Sequence, residues 1–265
     1  MKKYLAIAKI LFKAQIVYRF DVALTAASTV WRVLFAWILW GAVFAGRDRI
    51  GGFDLQAMLS YYIVGSFLAT IEMSGGVSGE VSSRIRGGTF SKYMVIPVRP
   101  QFHFMSQTAG ACAYYALFSV AAAAFCAVVF KIKLSFTADP AALLTAALMI
   151  PAGLTFMAAY HFIVGVLAFK FLDIGFFLHV QGNLIAFFTG AIVPLSLLPR
   201  AVNGVLKYLP FTYVTYMPAM LITGRTGAAD GAFGLAVVSC WAVAAIAAGH
   251  FLYERLRIKF DGVGV

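Results

Sequence analysis

Charge is scarce in this chain. Only 12% of its 265 residues are Asp, Glu, Lys or Arg, against 62% that are hydrophobic. An ordinary soluble domain carries about 25% charged residues, so no soluble globular class fits. Acids are scarcer than bases, 10 against 21, which leaves a net charge of +11. The few carboxylates are too scattered for a paired-carboxylate site, and no hydrolase triad can be assembled from what remains. Cysteine is rare too: Cys112, Cys126 and Cys240 all lie in apolar runs. With no CxxC pair and no Cys/His cluster at metal spacing, they read as small packing residues, and no metal site is expected. No GxxxxGK[ST] occurs, and the glycines from Gly224 to Gly234 lack the lysine and a preceding strand, so a P-loop is excluded. Lys9, Lys13 and Arg19 interrupt the first stretch before a signal-peptide core could form. Internal repeats, low-complexity tracts and soluble linkers are absent as well.

What is present is length of apolar run. Six blocks, roughly 22–45, 55–74, 104–130, 141–169, 174–193 and 231–252, each reach the ~20 residues that cross about 30 Å of hydrocarbon. The expectation is an all-α polytopic membrane protein with six transmembrane helices, forming one membrane domain over 1–265. That leaves no room for a soluble catalytic domain, so the chain is expected not to be an enzyme. The positive charge is not a nucleic-acid signal here, because the bases flank the blocks. Lys2, Lys3, Lys9, Lys13 and Arg19 precede the first. Arg84, Arg86, Lys92 and Arg99 follow the second, Lys170 sits at the next turn on that side, and Arg255, Arg257 and Lys259 end the chain's last block. Alternate loops hold fewer: Arg47 and Arg49, then Lys131 and Lys133, then Arg200, Lys207 and Arg225. By the positive-inside rule both termini face the cytoplasm.

Three segments stand apart from the spans. Residues 1–20 predict a helix lying in the interface, with Lys2, Lys9 and Lys13 on one face and Ile7, Leu11, Ala14 and Tyr18 on the other. Phe12 and Ile16 fall near the lysines, so a plain basic flank is the competing reading. In the loop 76–100, Gly75-Gly76 and Gly87-Gly88 bracket a short helix over 78–86. Thr89 is placed to cap a second one over 90–95, closed by Pro97 and Pro100. The stretch 194–224 is apolar but broken by Pro194, Pro199, Pro210 and Pro218. It predicts short re-entrant helices dipping into the outer leaflet rather than a seventh span, with Phe211 and Gly224 part of the same segment.

Ionisable groups inside the spans are few. Arg32 lies about ten residues into the first block and Glu72 near the end of the second. Two readings of Arg32 stand: it pairs with Glu72 or faces a wet cavity, or the span starts later and Arg32 lies near the headgroups. His161, His179 and His250 read as hydrogen-bonded packing residues. Together with the peripheral Asp173 these make no ion relay, so any pumping must draw its energy from another protein.

The order of elements resembles the permease subunits of type-2 ATP-binding-cassette exporters, particularly a bacterial six-span branch without a fused ATPase. The resemblance covers nearly the whole chain. It is carried by YRFDVAL, GGFDLQAMLSYYIVG, SSRIRGGTFSKYMVIPVRP, GAIVPLSLLPRAVNGVLKYLPFTYVTYMPAMLITG and the tail ERLRIKFDGVG. The chain departs from the family's common Leu-Leu followed by Arg-Pro, having Met94-Val95-Ile96-Pro97 instead. The resemblance implies that 78–86 is a coupling helix seated in a cleft of a separate soluble ATPase, present in two copies. Glu80, Arg84, Ile85 and Arg86, with Lys92 beyond, would make the contacts, the arginines meeting acids and Ile85 acting as an apolar plug. ATP and Mg would be bound by that partner, and this chain would bind no cofactor of its own. A second permease subunit, identical or similar, would complete a pathway lined by the second and fifth spans, in the cytoplasmic (inner) membrane of a bacterium and in contact with its lipids. Cargo would be amphipathic, lipid-linked or peptide-like. The rival from another class is a non-transporting membrane scaffold or assembly protein. An integral-membrane enzyme acting on lipids has no acid/base or metal constellation to support it.

Overall fold

Caps and helix breakers set the ends of the apolar blocks in the computed structural model, which describes residues 2–17, 19–171 and 173–259. Tyr18 of the expected interfacial helix and 260–265 of the basic tail lie outside the described residues. Among the described residues eleven α-helices follow in order: α1 Lys2–Ala14, α2 Arg19–Val43, α3 Leu55–Ile71, α4 Gly75–Arg86, α5 Ser91–Val95, α6 Pro100–Val129, α7 Pro140–Val166, α8 Gly175–Phe188, α9 Arg200–Leu206, α10 Tyr216–Ile222 and α11 Ala228–Leu256. No strand occurs among the described residues. Asp54 opens α3 by accepting from the Ala57 amide at 2.7 Å, and Asp139 opens α7 by accepting from Ala141, with Pro140 in the first turn.

Among the described residues four helices are long and apolar enough to cross a membrane: Phe20–Val43, Pro100–Val129, Pro140–Phe169 and Ala228–Leu256. The second and fifth blocks fold shorter than the sequence predicts. Helix α3 has 17 residues, about 25 Å, and α8 has 14, about 21 Å. The cause is local: Glu72 takes extended backbone after α3, and Gly190 turns with a positive φ beyond α8.

At the centre, α7 packs most extensively against α11. The seam is a line of small residues. The buried positions of α11 are Gly231, Gly234, Val238, Ala242, Ala245, Gly249, Tyr253 and Leu256, repeating every three or four residues. Small side chains let the two backbones approach, which is the main source of packing between helices in lipid. Helix α3 is also interior, burying 13 of its 17 residues between α2, α6 and α10.

The segment 194–224 folds as short pieces, as the prolines predict. A 3-10 turn at Leu195–Leu197, α9, a second turn at Pro210–Tyr213 and α10 follow one another, each begun near a proline. Pro194 and Pro199 occupy cap positions, Pro210 opens its turn, and Pro218 is the third residue of α10, where no intrahelical N–H bond is lost. The pieces are tied down. Trp241 donates to the Tyr208 carbonyl at 3.0 Å and Thr212 to that of Leu206 at 3.1 Å, while just upstream Tyr61 donates to Gly190 at 2.8 Å and Tyr62 to Ile192 at 2.6 Å.

Candidate functional site

The loop after α3 is a packed wedge rather than a solvated connection. Helix α4 starts at Gly75, so Gly75-Gly76 form its first turn, and only Gly88 takes the left-handed backbone that ends a helix. Val77, Val81 and Ile85, at i, i+4 and i+8, turn inward with Ser78 and Ser82. Opposite them, Gly165 of α7 lets α4 close in. A Cβ there would meet the Val81 Cβ at 2.7 Å and the Ser78 Cα at 3.2 Å. Ser78 Oγ and His161 Nδ1 lie 3.3 Å apart and join the two helices by a buried polar contact.

This overturns the expected role of Ile85. It is 4% exposed and packs in the core with Phe90, Phe162 and Val164, so it is not available as a plug for a partner. The cap of α5 also differs. Phe90, not Thr89, holds the cap position, because its ring is buried against Tyr93, Phe104, Phe169 and Tyr253. Thr89 Oγ1 instead donates to the Arg84 carbonyl at 3.4 Å.

The charged residues of the wedge have partners within the chain. Arg84 donates to Glu80 Oε1 through two nitrogens, at 2.9 and 2.6 Å, and its guanidinium lies 5.3 Å from the Tyr93 ring centroid. Burial pushes the Tyr93 hydroxyl pKa up, with Arg84 pulling against it. Arg86 reaches Asp173, in the loop between α7 and α8, at 3.4 Å, and both side chains remain largely exposed. Lys92 sits 5.7 Å from the Tyr93 ring on the outer surface of α5. Beyond it Val95 is 83% exposed, and Ile96 is exposed too.

Helix α1 joins this face. It packs on α6, where Gly110 again makes room: a Cβ would lie 2.1 Å from the Ala8 carbonyl oxygen. Phe12, placed near the lysine face by helical spacing, packs edge-on against Tyr114 at 5.4 Å. Lys3 donates to the Pro97 carbonyl at 3.4 Å, and the Arg99 amide donates to the Tyr4 hydroxyl at 3.3 Å. A cleft of about 350 Å³ lies between Tyr4, Ile96, Arg99, Tyr253 and Glu254.

The second feature lies among the long helices. Arg32 is near the middle of α2, about 20 Å from its start. Arg32 and Glu72 line one cavity of about 260 Å³ together with His161, Thr189 and Thr215. Among the described residues no ion pair joins them. Glu72 accepts instead from the Ser74 amide at 2.9 Å and from the Ser74 hydroxyl. A second cavity of about 460 Å³ is lined by Arg32, Phe35, Leu39, Trp40, Tyr62 and Ile192.

In 194–224, Pro210 and Pro218 are buried, and Phe211 meets Phe156 and Tyr160 edge-on, both at 5.4 Å. Pro199 and Gly224 are exposed. The structure thus gathers Glu80, Arg84, Arg86 and Lys92 on one face and sets Arg32 and Glu72 apart in the groove. Sequence reasoning missed Gly165 and Gly110, while His161, read as a hydrogen-bonded packing residue, has Ser78 as its partner. The signal for the glycines was there, as small residues at helical positions facing apolar stripes on α4 and α1.

Among the described residues no group of His, Cys, Asp or Glu is arranged to hold a metal ion. No curated protein matches the chain. The sequence matches the family described as ABC-2 family transporter protein over residues 30–264, nearly its whole length. Proteins of this family are membrane components of transporters and normally work with an ATPase subunit. A multi-pass set of apolar helices, a wedge packed on α7 and this match together show that the chain belongs to the ABC-2 transporter family, as a transport permease.

Proposed function

We propose that this chain is the membrane subunit of an ATP-driven exporter for an amphipathic, lipid-linked or peptide-like cargo, seated in a bacterial cytoplasmic membrane. The observation that carries the reading is the fit of α4 against α7 through Val77, Val81 and Ile85. An element that is charged outside and apolar inside, welded to a long span, transmits a push without absorbing it. Fully burying each such side chain contributes about 1.5–3 kcal/mol. The soluble ATPase, in two copies, would press on Arg86, Lys92 and the exposed Val95, with α1 touching it from the side. Val95 takes the part that the sequence reading gave to Ile85.

Six crossings are proposed, with α3 and α8 as the two short ones and both termini in the cytoplasm. Helix α3 is shielded by protein over most of its surface, which relieves it of matching the full bilayer thickness. The proline-broken pieces then close the pathway on the outer side. Helix α8 buries only Gln181 and exposes Phe176, Phe177 and Leu184. Such a helix is suited to a second permease subunit, identical or similar, against which the pathway would form.

The test is co-purification of the permease with the soluble ATPase and measurement of ATP hydrolysis. Val95→Glu and Arg86→Glu together should lower ATPase retention at least tenfold, through lost apolar contact and like-charge repulsion. Retention and hydrolysis unchanged in the double variant would refute docking at this face. Retention of no nucleotide-hydrolysing partner by the native chain would favour the scaffold reading.

A further inference from the structure

The two cavities beside α2 share Arg32 and Ala191, so they form one groove with a cation at its waist. One end is polar, with Glu72, His161, Thr189 and Thr215. The other is aromatic and aliphatic, with Phe35, Leu39, Trp40 and Tyr62. Arg32, Phe35, Leu39 and Trp40 fall at helical spacing on one side of α2, so a single extended molecule can meet all four.

A guanidinium at mid-span is expensive, and such residues pair, face protein or mark a substrate path. Among the described residues no carboxylate pairs with Arg32. Its hydrogen bond is to the Ser28 hydroxyl at 3.5 Å, at the limit of such a contact. Glu72, the acid in the same cavity, is occupied by Ser74. Arg32 is therefore left with no charged partner within ion-pair distance among the described residues, and it has a hydrocarbon-compatible wall beside it. A planar fork of donors suits a phosphate or carboxylate.

We propose that Arg32 anchors the anionic headgroup, phosphate or carboxylate, of a single-chain or lipid-like amphiphile whose hydrocarbon lies along Phe35, Leu39 and Trp40. This deepens the reading of the chain as a permease for amphipathic cargo and gives that cargo a charge.

The test uses the full chain in phosphatidylcholine nanodiscs, without ATPase or nucleotide, and so stands apart from the docking experiment. Octyl phosphate is titrated calorimetrically, with empty discs as the blank and octyltrimethylammonium as the charge-reversed control. The native chain should bind octyl phosphate at least tenfold more tightly than the ammonium compound. Arg32→Gln should weaken octyl phosphate binding about tenfold or more, the scale of lost hydrogen bonds to a charged group, with thermal stability retained. Arg32→Lys should recover part of the loss, and Glu72→Gln should leave binding within about twofold, well under the tenfold that corresponds to about 1.4 kcal/mol. Competition by phosphatidylglycerol in the disc would identify a bilayer lipid as the occupant, competition by inorganic phosphate a free anion, and neither an exported amphiphile. All three keep Arg32 as the anchor. Equal binding of the phosphate and the ammonium amphiphile by the native chain would overturn the proposal. So would undiminished octyl phosphate binding by Arg32→Gln, and the first comparison uses the native chain alone.

Discussion

Helices α7 and α8 follow one another in the chain and are alike in apolarity, but they are packed in opposite ways. Helix α7 is walled in by α4, α10 and α11 and buries residues along its whole length, from Ala142 to Val166. Helix α8 touches little of the chain and shows its phenylalanines to the outside. The difference lies in side-chain size. Lipid tails are as apolar as leucine, so apolarity gives no preference for protein over lipid, and close packing has to come from shape. Helix α7 offers Ala146, Gly153, Ala158, Ala159 and Gly165, whereas α8 offers Phe176, Phe177, Phe187 and Phe188. One helix is finished within the subunit. The other leaves most of its surface uncovered by the subunit.

The firmest way to break this comparison is at the α4–α7 contact. Ile85→Ala should destabilise the purified permease by about 2–5 kcal/mol, because it opens a cavity in the core behind the wedge. Val95→Ala, two turns and a corner away on the surface, should change thermal stability by less than about 0.5 kcal/mol. Equal effects at the two positions would return Ile85 to the surface. Next in size is the α11 seam. Gly234→Leu would drive a side chain into the Tyr213 ring, 2.4 Å from the position of a Cβ, and should cost about 1–3 kcal/mol by thermal unfolding. Val180→Ala on α8 should leave the isolated subunit within about 0.5 kcal/mol of native. A comparable loss at Val180 would show that α8 is packed within the chain after all.

Smaller effects sharpen the picture. Tyr62→Phe removes the hydrogen bond to Ile192 and should cost about 0.5–1.5 kcal/mol. Arg86→Glu breaks an exposed ion pair with Asp173, worth at most about 1 kcal/mol. The exchange Arg86→Glu with Asp173→Arg would restore that pair without restoring the surface seen by a partner. If the exchange rescues ATP-driven transport, Arg86 acts through Asp173 rather than through docking.

Much of the architecture was legible from the sequence because its causes are local. Pro194, Pro199 and Pro210 break 194–224 into pieces wherever the chain runs, and an apolar block with a capping Asp54 or Asp139 folds as a helix. The wedge was misread for a physical reason. Its glycines and arginines predict a short helix with Ile85 turned outward, while the inward stripe of Val77, Val81 and Ile85 acquires meaning only when Gly165 is opposite. Thr89 lost its expected cap to Phe90 because burying an aromatic ring outweighs a hydroxyl cap worth about 1 kcal/mol. The place of Arg32 within its apolar block was legible, but that no carboxylate among the described residues pairs with it needed the packing around α2. Span length is the third case. Blocks of about 20 apolar residues gave helices of 17 and 14, because Glu72 and Gly190 end them early.

The unfinished face is most directly tested by disulfide cross-linking in native membranes, after Cys112, Cys126 and Cys240 are replaced by serine or alanine. Leu184→Cys on α8 is 51% exposed and Val243→Cys on α11 is 68% exposed at the native residues, so exposure favours the second. Oxidation should nevertheless join Leu184→Cys, or its neighbours Val180→Cys and Phe187→Cys, to a second permease chain carrying the matching cysteine, and should leave Val243→Cys uncoupled. Cross-linking through Val243 with none through α8 would contradict the account, because the finished side of the subunit would then be the one that meets its partner.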